Sequence, residues 1–240
     1  MKNKNSNLIC IFSYNVEKYV EKVFFKLKKN NHFNKSILFI NDSSTDNTRQ
    51  IIENIKKKNK KLNIHIINNK FNLGYGGNYK LAIKFCIKNN FKKLIFLHGD
   101  DQYPANKINK LILHLNKNDL TFGSRMSNYR SSRKNMPKIK IVVNIILTKF
   151  INFIYGVNYS EYFSGFRGFN LKNLKKINLE KLSNNYPIEQ EIHFIFIKRN
   201  YKISEFPIPT VYEDQISRIP PVRYVITIVL KALKYSLLKL

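Results

Sequence analysis

Short apolar runs alternate with amphipathic stretches through the first half of the chain. Residues 8–12, LICIF, read as a buried strand. YVEKVFFKLKKN follows with apolar residues at helical spacing, then SILFIND as a second strand. STDNTRQIIENIKKK opens a helix, with Ser44 or Thr45 placed to cap it and Asp46 in the acidic first turn. LNIHIINN is a third strand, and GYGGNYKLAIKFCIKN is a glycine-rich turn entering a helix. KLIFLHGD, ANKINKLILHLNK and DLTFGSR continue as strand, helix and strand. This alternation predicts an α/β fold, a mostly parallel central sheet with helices on both faces.

The second half is less regular. IKIVVNIILTKFINFIYG is a long apolar-rich helical segment, and YFSGFRGFN reads as a loop of glycines and aromatics with one arginine. YPIEQEIHFIFIKRN reads as a helix and YKISEFPIPTVY as a strand broken by prolines. No repeat or linker interrupts the chain, so one domain is expected over 1–222, followed by an amphipathic helix over 223–240. At about 100° per residue, Arg223, Lys231, Lys234 and Lys239 of that tail fall on one face. Val225, Ile226, Val229, Leu230, Leu233, Leu237 and Leu240 fall mostly on the other. Such a helix suits an anionic membrane surface, or else packs on the core as a terminal helix. Asn144 and Lys149 argue against a membrane span in the earlier apolar segment, and no uncharged apolar run reaches about 18 residues.

Composition narrows the picture. Apolar residues make up 43% of the 240, enough for a sizeable core. Cys10 and Cys86 lie in apolar runs at no zinc-ligand spacing, as core thiols do in a reducing cytoplasmic setting. The opening MKNKNSNLIC lacks the apolar core of a signal peptide. The net charge of +28 draws the chain toward anionic partners, or reflects a general lysine and asparagine bias, since the lysines are scattered. A basic nucleic-acid-binding module is the reading from another class. It is disfavoured because no RNA-binding aromatic motif or helix-turn-helix pattern occurs.

Polar clusters fall instead where strands end, the place where open α/β sheets bind ligands. They are Ser13-Tyr14-Asn15, Asn41-Asp42-Ser43-Ser44, Gly74–Gly77 and His98–Gln102. In LHGDDQYP, the adjacent Asp100 and Asp101 would point to opposite faces of a strand, a limit that a turn relaxes. Asp and Gln oxygens suit Mg²⁺ or Mn²⁺, and an imidazole at His98 tilts the choice toward Mn²⁺. The same carboxylates would also cap the helix that follows Pro104. Asp42 is placed either to accept from a nucleobase N–H or to cap a helix. The glycines of NLGYGGN permit a close backbone approach to a ligand, at a spacing that is neither the dinucleotide fingerprint nor a Walker A loop.

Taken in order, FSYN, FINDSSTDNT, NLGYGGN, LHGDDQYP and FGSR resemble the family 2 glycosyltransferases, which have the GT-A fold. FSGFRGFN, IEQEI, EFPIPTVY and DQISRIPPVRY resemble their polyprenol-phosphate sugar synthase branch. The resemblance spans residues 8–224. It implies that Asp42 binds the base of a nucleotide-sugar, with Ser13, Tyr14, Asn15 and Gly76 lining the donor pocket and Asp101 beside it. Asp100 would be the Asp of the Asp-x-Asp metal motif, with Gln102 and His98 as further ligands to Mg²⁺ or Mn²⁺. Arg125, Arg167 and Arg218 would face phosphates, and Glu189 and Glu191 match paired acids near the acceptor. The chain departs from the pattern where His98 replaces the first Asp, Asp101 replaces an apolar residue, and only EDQISR stands for a longer terminal element. Glu17 is also displaced by one position, behind Val16.

The function implied is a metal-dependent inverting glycosyltransferase at the cytoplasmic face of the membrane. It would move a sugar from a nucleotide-sugar to a polyprenyl phosphate or other lipid-linked acceptor. A transferase acting on a glycan hydroxyl is the second reading. A phosphate acceptor is already ionised, whereas a hydroxyl needs Glu189 or Glu191 as base.

Overall fold

A computed structural model describes residues 7–29, 35–127, 136–209 and 221–238. In chain order the elements are β1 (Asn7–Ser13), α1 (Val20–Lys29), β2 (Ser36–Asn41), α2 (Thr48–Lys58), β3 (Ile64–Asn68), α3 (Gly74–Lys88), β4 (Lys93–His98) and α4 (Ile108–His114). They continue as β5 (Leu120–Ser124), α5 (Lys138–Tyr155), β6 (Arg167–Asn170), α6 (Leu171–Leu174), α7 (Ile188–Lys198), β7 (Ile203–Pro207) and α8 (Pro221–Leu237).

The strands form one 7-stranded sheet in the order β3-β2-β1-β4-β6-β5-β7. Strands β1 to β4 pair in parallel, with Ser13 opposite Asn41 and Phe12 opposite His98, so their carboxyl ends line one edge. Strand β6 is antiparallel to both β4 and β5, which makes β5 parallel to β4. The end of β5 and the start of β6 therefore share that edge, and Arg125 and Arg167 arrive there from opposite chain directions.

Alternation along each strand divides the core. Leu8 and Cys10 face a cluster built with α3, α7, α5 and α8, while Ile9 and Ile11 face one built with α1, α2 and α4. Cys10 and Cys86 are buried free thiols, both on the α3 side.

Strand β6 lies inside the segment expected to be a loop. Its Gly168 is the reason it fits: an added Cβ would meet Leu111 Cδ2 at 2.4 Å and Leu115 Cδ1 at 2.7 Å. Helix α4 presses directly on the strand backbone there. Helix α2 also starts later than the expected Ser44 or Thr45 cap. Asp46 Oδ1 accepts from the Thr48 N–H at 3.0 Å, while Ser44 Oγ accepts from Asn15 N–H at 3.1 Å. The hydroxyl expected to cap the helix holds the end of β1 instead.

A histidine stands among the core groups without a polar partner. His193 of α7 is fully buried among the rings of Phe122, Tyr159 and Tyr162, at 5.1, 5.4 and 4.8 Å, and neither ring nitrogen finds a hydrogen bond. Burial, seconded by Arg167, holds its pKa well below the usual histidine value. The unfolded chain binds a proton here below about pH 6.5 and the folded one does not, so stability falls as pH drops through that range. His193→Phe should match or exceed the wild-type melting temperature above neutral pH and lose less stability on acidification, as read from thermal unfolding across a pH series.

Candidate active site

The ends of β1 and β2 are tied together by the residues that follow them. Asn15 adopts a left-handed φ of 51°, accepts from Thr45 N–H at 2.9 Å and donates its own N–H to Ser44. Tyr14 is exposed beside it, whereas Ser13 is buried with an unpartnered Oγ. The turn after β4 crosses this point, because a Cβ on Gly99 would lie 2.9 Å from Phe12 O and 3.2 Å from Ser13 Oγ.

Asp42 holds the start of α3. Its Oδ1 accepts from Leu73 N–H and Asn69 Nδ2, both at 2.8 Å, and its Oδ2 accepts from Gly74 N–H at 3.1 Å. A carboxylate at a helix N-terminus satisfies donors that the helix itself cannot. Asp42 thus caps α3, three elements along, rather than α2, the next helix. The glycines of NLGYGGN belong to this first helical turn. At Gly76 a Cβ would sit 2.5 Å from Ser183 O and Asn184 C, so the close approach there is to the chain's own backbone. Gly77 N–H donates to Asn184 O at 3.1 Å, and Lys80 Nζ donates to Leu182 O and Asn184 Oδ1, both at 2.7 Å.

The His98–Tyr103 turn distributes its side chains. Asp101 has a φ of 62° and is drawn away from the strand-end cleft, its buried carboxylate 3.0 Å from Lys22 and 2.7 Å from Lys26 of α1. Asp100 is half-buried, and its Oδ1 accepts from Gln102 N–H at 3.2 Å. His98 Nε2 lies 3.1 Å from the Tyr75 hydroxyl, which donates to Glu189 Oε1 at 2.6 Å. The phenol has one proton and directs it to the carboxylate in that hydrogen bond. Nε2 must therefore be the protonated nitrogen and the donor, which removes it from the set of metal ligands. Gly165 closes over the ring, where a Cβ would stand 2.8 Å from Nε2.

Tyr103 marks the centre. Its hydroxyl accepts from Gly165 N–H at 2.8 Å. Burial pushes its pKa up to about 12, Arg125 opposes the rise, and Glu189 and Asp100 add to it. Asp100, Arg125 and Glu189 therefore all lie within electrostatic reach of one phenol. Arg125 is oriented by buried Glu161, which accepts from its Nη2 at 2.8 Å and from its backbone N–H, and Glu161 is steadied by Asn144 at 3.2 Å.

Two residues expected to face ligands are committed elsewhere. Arg167 is fully buried and donates to Ser164 O, Tyr162 O and Glu189 O at 2.6, 3.0 and 3.2 Å, with Glu189 Oε1 at 3.6 Å. It braces the site from behind and presents no face to a phosphate. Glu191, two residues from Glu189 on α7, points to another side of the helix. It accepts from Ser183 N–H and Oγ at 2.7 and 2.9 Å and from Lys231 Nζ at 2.5 Å. Arg218 and the EDQISR element lie outside the described residues.

Sequence reasoning assigned no role to Tyr75, Tyr103 or Glu161. Tyr103 stood inside the quoted LHGDDQYP, and Tyr75 inside NLGYGGN. Glu161 carried a readable signal, a lone acid among aromatics in a chain with 15 acidic and 43 basic residues.

The sheet, the acid-lined carboxyl edge and the arginine at the end of β5 define a sugar-transferring enzyme of the GT-A kind. The glycosyl transferase family 2 model matches residues 8–177, and the chain belongs to that family, whose donors are nucleotide-sugars. It is 29% identical over 219 residues to the UDP-N-acetylglucosamine--dolichyl-phosphate N-acetylglucosaminyltransferase of Methanococcus voltae, covering 86% of each chain. Similarity to the polyprenol monophosphomannose synthase of Mycolicibacterium smegmatis is 21% over 174 residues, 72% of this chain and 65% of that one. Among solved structures, glucosyl-3-phosphoglycerate synthase from Mycobacterium tuberculosis with Mn²⁺, UDP and phosphoglyceric acid superposes with a TM-score of 0.70 at 11% identity, over 99% of this chain and 81% of that one.

Because Asp42 caps α3, Asp42→Ala should destabilise the ligand-free protein by about 1–3 kcal/mol, the cost of stranding buried N–H groups. Asp42→Asn keeps one carbonyl acceptor and should lose less. Denaturant unfolding without nucleotide measures both.

Proposed function

We propose that this chain is a metal-dependent inverting glycosyltransferase that moves a sugar from a nucleotide-sugar to a polyprenyl phosphate or other lipid-linked acceptor at the cytoplasmic face of the membrane. The observation that carries this reading is the run of hydrogen bonds from Glu189 through Tyr75 to His98, at the head of the turn that holds Asp100, on the carboxyl edge of a family 2 sheet. The names of the Methanococcus and Mycolicibacterium relatives support the acceptor class.

The donor side is built for a nucleoside diphosphate. Asp42 offers its remaining Oδ2 lone pair to a base N–H, next to Ser13, Tyr14 and Asn15. The donor set fits a hard cation: Asp100 and Gln102 bring a carboxylate and an amide oxygen. Among the described residues no three His, Cys, Asp or Glu side chains converge on a point, so the protein supplies a partial shell that phosphates and water would complete. When bound, a divalent ion supplies positive charge to the departing diphosphate. Arg125, fixed by Glu161, adds a guanidinium already oriented for negative charge that grows during transfer. His98 is held by Tyr75 and serves to position Glu189 rather than as an Nε2 ligand.

A phosphate acceptor arrives ionised, and no proton then has to move to the protein. Glu189 is the residue that keeps a hydroxyl acceptor as the second reading, since its carboxylate is joined through Tyr75 to His98 at the strand end, whereas Glu191 is committed to Ser183 and Lys231. Membership of family 2 weighs against the nucleic-acid-binding alternative.

A thermal-shift screen of nucleotide-sugars with and without Mn²⁺ tests the donor: a ligand held at about 100 times its Kd stabilises the fold by about 2.7 kcal/mol. No metal-dependent stabilisation by any nucleotide-sugar would count against the reading. Asp100→Ala should abolish the Mn²⁺-dependent part of UDP binding in calorimetry and leave the melting temperature of the free protein near wild type. Glu189→Gln should reduce turnover on a hydroxyl acceptor by at least about 100-fold, the lower range for losing a general base, and have a much smaller effect on a phosphate acceptor.

A further inference from the structure

Helices α5 and α8 form a layer over α7. Tyr155 of α5 stacks on Phe194 of α7 at 5.1 Å, Tyr235 of α8 approaches the same ring at 6.4 Å, and the Tyr155 hydroxyl donates to Ala232 O at 2.9 Å. Each helix buries one face in this layer: Asn144, Leu147, Thr148 and Ile151 on α5, and Ile228, Ala232 and Tyr235 on α8.

The opposite faces are also apolar. On α5, Ile139, Val142, Ile146 and Phe153 are exposed, Phe153 to 88%. On α8, Val222, Ile226, Leu230, Leu233 and Leu237 are exposed, Leu237 to 83%. Their spacings repeat with the helical period, so each set is a stripe. Most of the exposed large hydrophobic side chains among the described residues lie on these two helices. A soluble monomer rarely leaves so much contiguous apolar surface open without a use.

Charge selects the occupant. Neither helix contains an Asp or a Glu, while Lys138, Lys140, Lys149, Arg223 and Lys234 are exposed along them. A second copy of a chain with a net charge of +28 would bring like charge against like at this face. An anionic bilayer offers both acyl chains for the stripes and negative headgroups for the flanking cations. No helix of the described residues is long and apolar enough to cross a membrane, so the contact is interfacial. Lys231, counted with the basic face of the tail, is turned inward and paired with buried Glu191. That pair fixes the rotation of α8 and sends the stripe outward.

We propose that the outer face of the α5–α8 layer is a membrane-docking surface for anionic lipid, built from two helices rather than from the tail alone. The surface abuts the site: Tyr224 of α8 contacts Tyr186 at 5.2 Å and Phe163 at 5.9 Å, in the segments leading to Glu189 and Arg167. A lipid-linked acceptor held in the bilayer would therefore meet the enzyme next to its acceptor side. This purpose rests on the proposed glycosyl transfer to a lipid carrier, whereas the surface stands on its own geometry.

The test is cosedimentation of the full chain with phosphatidylcholine vesicles, with and without phosphatidylglycerol. Wild type should bind the phosphatidylglycerol vesicles, less at high salt, as exposed charges are screened. The triple variant Ile226→Ser, Leu230→Ser, Leu233→Ser and the double variant Ile146→Ser, Phe153→Ser should each weaken that binding by about tenfold or more. Both should keep the wild-type melting temperature and UDP affinity. Lys149→Glu with Lys234→Glu should weaken binding to anionic vesicles only. The proposal is overturned if the α5 variant binds vesicles as wild type does, if wild type ignores phosphatidylglycerol at low salt, or if sedimentation velocity shows a dimer that the stripe variants dissociate. Vesicle binding that persists in a protein with no nucleotide-sugar activity would sink the enzymatic reading and leave the surface intact.

Discussion

A guanidinium without solvent contact needs an anion close by and acceptors for its N–H groups, or its burial costs several kcal/mol. Arg167 meets both needs through Glu189 and the carbonyls of Tyr162 and Ser164. Much of the site follows from that pairing. It brings the first turn of α7 to the start of β6 and fixes the Glu189 carboxylate. The carboxylate accepts the Tyr75 O–H hydrogen bond, and the Tyr75 oxygen then sets which nitrogen of His98 carries hydrogen. A buried charge on one strand thus reaches the His98–Tyr103 turn after another through side-chain contacts alone. Buried hydrogen-bonded networks of this kind hold a single geometry, which a site that must match a transition state requires.

The parallel half of the fold was legible because each strand from β1 to β5 is an apolar run bounded by polar punctuation, and each intervening helix shows its own period. Strand β6 was not, for a physical reason. A short antiparallel strand inserted between β4 and β5 needs no alternation when Gly168 lies under α4 and Arg167 is neutralised from α7. Such a strand is defined by its neighbours, and local pattern carries little of that information. The cap of α2 was misplaced for a related reason, since Ser44 had a better use across the site in holding Asn15.

The site was legible as a set of positions more than as a set of orientations. The carboxyl-edge clusters gathered as the strand ends required. What spacing did not reveal was which way each side chain turns. Glu189 and Glu191 read as a pair, yet one holds Tyr75 and Arg167 while the other anchors α8 through Lys231. Gly76 read as room for a ligand, yet the 183–185 segment fills that room. In a chain with few acids, each buried carboxylate is matched to particular N–H groups or cations, and those matches depend on tertiary contacts far apart in sequence.

The left-handed peptide at Asp101 has a consequence for how robust the site is to mutation. Two neighbouring aspartates suggest redundancy, in which loss of one is covered by the other. The backbone at this turn sends the second carboxylate to the lysines of α1, where it is locked in ion pairs. Asp100 therefore has no understudy: its neighbour could not take its place without rebuilding the turn and giving up the ion pairs with α1. Drift can alter the pair at either position, but the two carboxylates answer to different partners, one to the Gln102 N–H and the other to the lysines of α1.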